Sequence, residues 1–124
     1  MQPIKLGVAP TRRSIFSAPD AVKYRKLTAG RLQELGVDFV DIEDINEEGL
    51  LYCEDDRLKI LEKFKAAGVD GLMMPHCNFG TEYLCARLAK DLGVPVLLWG
   101  PLDERPEPDG TRLRDTQCGL FATG

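Results

Sequence analysis

Three short segments of the chain gather the side chains able to bind or change a small molecule. Pro10-Thr11-Arg12-Arg13-Ser14 carries two adjacent guanidinium groups. His76-Cys77-Asn78-Phe79-Gly80 carries an imidazole, a thiol and an amide, and Trp99-Gly100-Pro101 opens on an indole. An arginine supplies charged hydrogen-bond donors to a ligand oxygen, although Arg12 and Arg13 read equally as solvated loop charges. His76 is the only histidine. It is therefore the one side chain whose ordinary pKa suits proton transfer near neutrality, with a hydrogen-bonded structural group as the alternative. Cys77 has the type of a nucleophile, but no second histidine exists to activate it, which favours a packed thiol. Asn78 serves either a ligand or the turn before the next helix. Trp99 serves either the core or, through its ring edge, a ligand.

Several other chemistries lack their residues. The first apolar run continues as Val8-Ala9-Pro10-Thr11-Arg12-Arg13, without the glycines that let a backbone approach a pyrophosphate, which argues against NAD or FAD. No P-loop segment occurs. Cys53, Cys77, Cys85 and Cys118 form no CxxC pair, and a zinc set of ordinary spacing cannot be built from them with one histidine. Free thiols in a reducing, cytoplasmic setting are expected. The net charge of −4 argues against nucleic acid as a partner. Apolar runs such as Val94 to Trp99 are too short to span a bilayer, and no secretory segment opens the chain.

The elements that must position these segments follow a strand–helix repeat. Strands are expected at Ile4–Ala9, Val37–Ile42, Val69–Pro75 and Val94–Trp99. Between them come amphipathic helices over Ala21–Leu35, with Pro19 in the first turn, over Glu54–Ala67, and from a Thr81 cap to Leu92. In the second helix Leu58, Leu61 and Phe64 are expected on one buried stripe. Leu35-Gly36-Val37, Ala67-Gly68-Val69 and Leu92-Gly93-Val94 repeat one device, a glycine ending a helix and a valine opening a strand. Three short helix-to-strand turns require parallel strands with right-handed crossovers. The expected fold is α/β, a flavodoxin-like (Rossmann-like) three-layer sandwich with a four-stranded parallel sheet in order 2-1-3-4. The third and fourth strands are apolar nearly throughout, as strands covered on both faces are. Residues 101 to 111 read as a loop, and a further helix is expected from Arg112 toward Gly124. In such sheets ligands bind at the carboxyl ends of the strands, where the strand order reverses. There Arg12, Arg13, His76 and Asn78 are expected to face one crevice, with Glu43 and Asp44 solvated at the adjacent strand end.

The opening Lys5-Leu6-Gly7-Val8-Ala9-Pro10-Thr11-Arg12-Arg13, the Pro75-to-Gly80 turn and the Trp99-Gly100-Pro101 strand end resemble the N-terminal domain of the L-fucose isomerase / L-arabinose isomerase family. The resemblance runs along essentially the whole chain, which reads as one α/β domain, residues 1–124, the N-terminal part of a longer sugar isomerase. It implies an aldose–ketose isomerase working through a metal-bound enediol. Its divalent metal, manganese, is held by a glutamate, an aspartate and a histidine of later domains, and no cofactor is expected in this chain. It also implies that this domain covers a neighbouring subunit's active site in a trimer or hexamer, that Arg12 and Arg13 match an arginine that reaches the sugar, and that the remaining isomerase domains are its partners. Cys77 stands where fucose isomerases carry a sugar-contacting tryptophan, so a relative with another sugar fits better. The substrate-contacting set is therefore Arg12, Arg13, His76, Cys77, Asn78 and Trp99, with no catalytic or metal-binding residue, and the chain alone is expected to be inactive. The competing reading is a stand-alone doubly wound module that binds a small ligand or a partner.

Overall fold

The computed structural model describes residues 3–124. Its elements, in chain order, are β1 (Lys5–Val8), α1 (Ala18–Glu34), β2 (Asp38–Val40), α2 (Glu54–Ala67), β3 (Gly71–Pro75), α3 (Glu82–Leu92), β4 (Val96–Trp99) and α4 (Thr116–Thr123). The four strands form one sheet in the order β2-β1-β3-β4, every pairing parallel. This is the expected flavodoxin-like arrangement, and the strand order reverses between β1 and β3. Among the described residues no helix is long and apolar enough to cross a membrane.

Local chemistry sets the helix ends. Ser17 caps α1, its hydroxyl accepting from the Asp20 amide at 3.3 Å, so the helix starts at Ala18 rather than at Ala21. The helices α2 and α3 stop at Gly68 and Gly93, at φ 65° and 69°, a left-handed geometry that a side chain would strain. Acidic Glu54, Asp55 and Asp56 occupy the first turn of α2, where the helix dipole favours them.

The sheet is covered unequally. On one face α2 and α3 pack Ile60, Phe64, Leu84 and Leu88 against Leu72 and Met74, all essentially buried. On the other, α1 sets Leu32 against Val8 and Met73. Strand β3 is buried throughout, but β4 is not: Leu97 is 54% and Trp99 39% exposed. The apolar content of β4 therefore does not reflect cover on both faces, because β4 is an edge strand and α1 does not extend over it. The buried side of α2 also differs from the expected stripe. Ile60 and Phe64 point inward and Leu58 lies in solvent, while Arg57 is buried by ion pairs to Glu54 and to Asp91 of α3. A guanidinium paired across the α2–α3 seam rotates the helix away from the purely apolar solution.

The helix α2 lies directly on β1 because Gly7 has no side chain. A Cβ there would stand 2.7 Å from two atoms of the Phe64 ring. Gly7→Ala is expected to lower stability by about 1–3 kcal/mol through overpacking, measured by urea unfolding. In a Phe64→Leu background the same change should cost less; an undiminished cost would locate the strain elsewhere.

Candidate ligand-facing rim

The loops after β1 and β3 meet at the switch point, as the strand order requires. A bridge from Thr11 to His76 ties them, and a second from Thr11 to Leu51 adds the segment after β2. Thr11 donates its hydroxyl to the Leu51 carbonyl at 2.8 Å and accepts from the Thr81 amide at 3.1 Å. Thr81 in turn donates to the Arg12 carbonyl at 2.6 Å. Thr81, expected to cap α3 with its side chain, thus spends its hydroxyl on the neighbouring loop instead.

Asn78 is fully buried. Its Oδ1 accepts from the Arg13 amide at 2.7 Å and the Gly80 amide at 3.1 Å. Its Nδ2 donates to the carbonyls of Arg13 and Ser17 at 3.3 and 3.4 Å. All four of its hydrogen-bonding positions go to backbone. Cys77 is also buried, and burial pushes its thiol up to about 12, so it is a packed protonated thiol at neutral pH.

The two arginines differ. Arg12 is 9% exposed. Its Nη2 donates to Glu48 Oε1 at 2.9 Å, its Nε lies 2.8 Å from Oε2, and its guanidinium stacks 3.9 Å from the Tyr52 ring centre. Arg13 stands further out, 2.9 Å from Glu82 and 4.7 Å over the Phe79 ring, with 30% of its side chain in solvent. Phe79 stacks in turn on Phe16, centroids 5.4 Å apart and planes at 9°. Neither arginine pairs with Glu43 or Asp44; Asp44 is held by Lys63.

Trp99 contributes only backbone here, its carbonyl accepting from the His76 amide at 2.7 Å. Its ring lines a groove on the α1 face of the sheet with Leu32 and Leu35. The six expected residues thus share one sheet edge, yet only Arg13 presents an accessible side chain at the rim. Sequence reasoning missed the partners that fix them: Thr11, Thr81, Glu48, Glu82 and Tyr52. A threonine directly after the Pro10 that closes β1 was the one local hint.

Beyond β4 the chain is organised by a buried cation. Arg114 is fully enclosed, 3.9 Å over the Tyr24 ring, with its Nε 3.1 Å from Glu104, its Nη1 donating to Thr116 at 3.1 Å and its Nη2 to the Leu102 carbonyl. Helix α4 therefore begins at Thr116 rather than near Arg112. Its first amides, Thr116 and Gln117, donate to the Asp103 carboxylate at 2.9 and 3.2 Å.

His76 holds α4 to the sheet. It is fully buried, with Nδ1 3.0 Å from the Met74 carbonyl and Nε2 2.9 Å from Thr123 Oγ1. A carbonyl only accepts, so Nδ1 carries the proton, and Nε2 shares the one Thr123 hydroxyl proton with the Gly119 carbonyl, 3.0 Å from the same oxygen. Both ring nitrogens are engaged. Among the described residues no three His, Cys, Asp or Glu side chains converge to hold a metal ion, so these residues do not fit a manganese site.

Burial holds the imidazole below its ordinary pKa, the Met74 carbonyl opposing this in part. As pH falls the unfolded chain therefore takes up this proton before the folded one. The resulting stability is complete above about pH 6.5 and is lost as pH drops from there toward the lowered folded value. Melting temperature is expected to fall as pH drops below about 6.5, and His76→Gln should flatten that slope. An unchanged slope in the variant would remove His76 as its cause.

Comparison with known proteins bears on this arrangement. No curated protein and no solved structure matches the chain. The family model described as "Fucose/sulfoquinovose isomerase, N-terminal domain" matches residues 7–124, taking in both switch-point loops, the Trp99 strand end and the Arg114-organised segment. The chain belongs to the fucose/sulfoquinovose isomerase N-terminal domain family.

Proposed function

We propose that this domain serves a metal-dependent aldose–ketose isomerase by covering a sugar bound by the rest of the enzyme, with Arg13 as the side chain that meets the substrate. The observation that carries this reading is the division of labour at the rim. Asn78 grips the Arg13 backbone at both its amide and its carbonyl, while the guanidinium stands partly in solvent. A fixed backbone with a guanidinium already held by Glu82 and Phe79, yet reaching solvent, is what orienting a ligand requires, because little ordering entropy is lost on binding. Glu82 engages Nη2 at 2.9 Å, which leaves other N–H groups to donate to sugar hydroxyls. The stacked Phe79–Phe16 pair offers an apolar surface beside them and keeps water from that side. His76 and Cys77 transfer no proton here: one is spent on structure, the other is held protonated. The metal, manganese by the family resemblance, is then held by other parts of the enzyme.

The covered site is that of a neighbouring subunit in a trimer or hexamer. Ile15, Leu102 and Phe121, all at least 80% exposed, support this, since such a contact would bury apolar side chains of this kind. The experiment is a pair of substitutions in the full-length isomerase, followed by steady-state kinetics and thermal melts. Arg13→Ala should weaken substrate binding about tenfold to a hundredfold, the worth of a charged donor to a hydroxyl, with little change in melting. Arg12→Ala should act the other way, costing about 1–3 kcal/mol of stability because Glu48 and the Tyr52 face lose their partner. Wild-type kinetics in Arg13→Ala would end this assignment.

A further inference from the structure

Strand β4 reads Val96-Leu97-Leu98-Trp99, with no charge and no proline. It forms an outer edge of the sheet. Edges left to face water are usually blunted by charges, prolines or bulges; here Pro95 stands just before the strand, and the four residues themselves carry no such device. The carbonyls of Pro95 and Trp99 accept from Leu72 and His76 at 2.9 and 2.7 Å. Successive residues of a strand turn their polar groups to opposite sides, so the N–H and C=O groups of Val96 and Leu98 point out of the open edge. Beside it, on the α1 face, lies a groove of about 360 Å³ lined by Leu6, Leu32, Leu35, Met73, Leu97 and Trp99. Leu35, Leu97 and Trp99 are each more than a third exposed. A contiguous apolar surface next to unpaired backbone marks a place where something docks.

The topology points to the occupant. Helix α4 packs against α3, on the same side of the sheet as α2 and α3. A right-handed crossover leaving β4 through a helix on that side delivers its next parallel strand to the outer edge of β4. The family is one of N-terminal domains, so in its members further polypeptide accompanies this fold. We propose that the β4 edge is paired by a parallel strand from the polypeptide that follows this domain in the isomerase, and that the same polypeptide packs onto Leu97 and Trp99. This rests on strand polarity and family membership, and not on Arg13.

The test is amide hydrogen exchange at Val96 and Leu98, in the 124-residue chain and in the longer isomerase. Both amides should exchange freely in the shorter chain, at a concentration where light scattering shows a monomer. Both should slow at least about a hundredfold in the longer protein. Equal rates in the two proteins would overturn the proposal. So would slow exchange in the shorter chain that is lost on dilution, because a second copy would then be the occupant. Val96→Pro removes one outward N–H that the domain itself does not use. It should leave melting of the shorter chain within a few degrees and abolish the protection of Leu98 in the longer one; an equal loss of stability in both would count against the added strand.

Discussion

The side-chain amide of Asn78 is the contact on which the rim is built. A buried amide with an unmet hydrogen bond costs about 1–3 kcal/mol, whereas each bond made contributes only about 0.5–1.5. The asymmetry makes such a group strict about its surroundings. Asn78 meets its demand with backbone from three places at once: Arg13 after β1, Ser17 at the cap of α1, and Gly80 ahead of α3. Moving any one of them orphans a polar atom. Thr81 repeats the device between the loops after β1 and β3, and Thr11 extends it through Leu51 to the segment after β2. The result is a sheet edge whose loops are set as firmly as the strands, and the seat of α4 depends on it. Gly119 sits so close to the Phe79 carbonyl that no side chain fits between them.

A second constraint follows from placing a full charge in the interior. Arg114 loses its water entirely, and a buried cation is tolerated only when its partners are all present. Glu104, Thr116, the Leu102 carbonyl and the Tyr24 ring supply them. Those partners span the proline-rich stretch after β4, so a segment that reads as loose loop is drawn back onto α1. The cost is local. Asp115 takes a left-handed φ of 47°, unusual for a residue with a side chain, and the cap of α4 comes from Asp103 rather than from the residue before the helix.

The fold was legible in the sequence where one local rule decided it. Gly36, Gly68 and Gly93 marked helix ends, the bounds of α2 were readable outright, and the short turns after the helices implied the parallel strands found, while the 2-1-3-4 order came with the expected fold class. Rules that act across the structure were not legible. The inward turn of Arg57 depends on Asp91, 34 positions away, and the exposure of β4 depends on what lies over it. The candidate site divides the same way. Topology alone brought the loops of Arg12 and His76 together. Which side chains stay free depends on carboxylates at Glu48 and Glu82 and on a threonine at the far end of α4, and no spacing rule announces them.

The same partners limit what chemistry the rim can host. Its imidazole is held neutral by burial and its thiol protonated, so neither a proton nor a nucleophile is on offer near pH 7. Each arginine is matched by a carboxylate within 3 Å. Such compensation removes the long-range field that would gather an oppositely charged ligand. What remains is directional: the unengaged N–H groups of Arg13, fixed in place by Asn78 and set beside an aromatic face. In the sugar-covering role proposed for it, such a surface would select by where hydroxyls point. It can do so without moving, because its ordering has already been met by the interior.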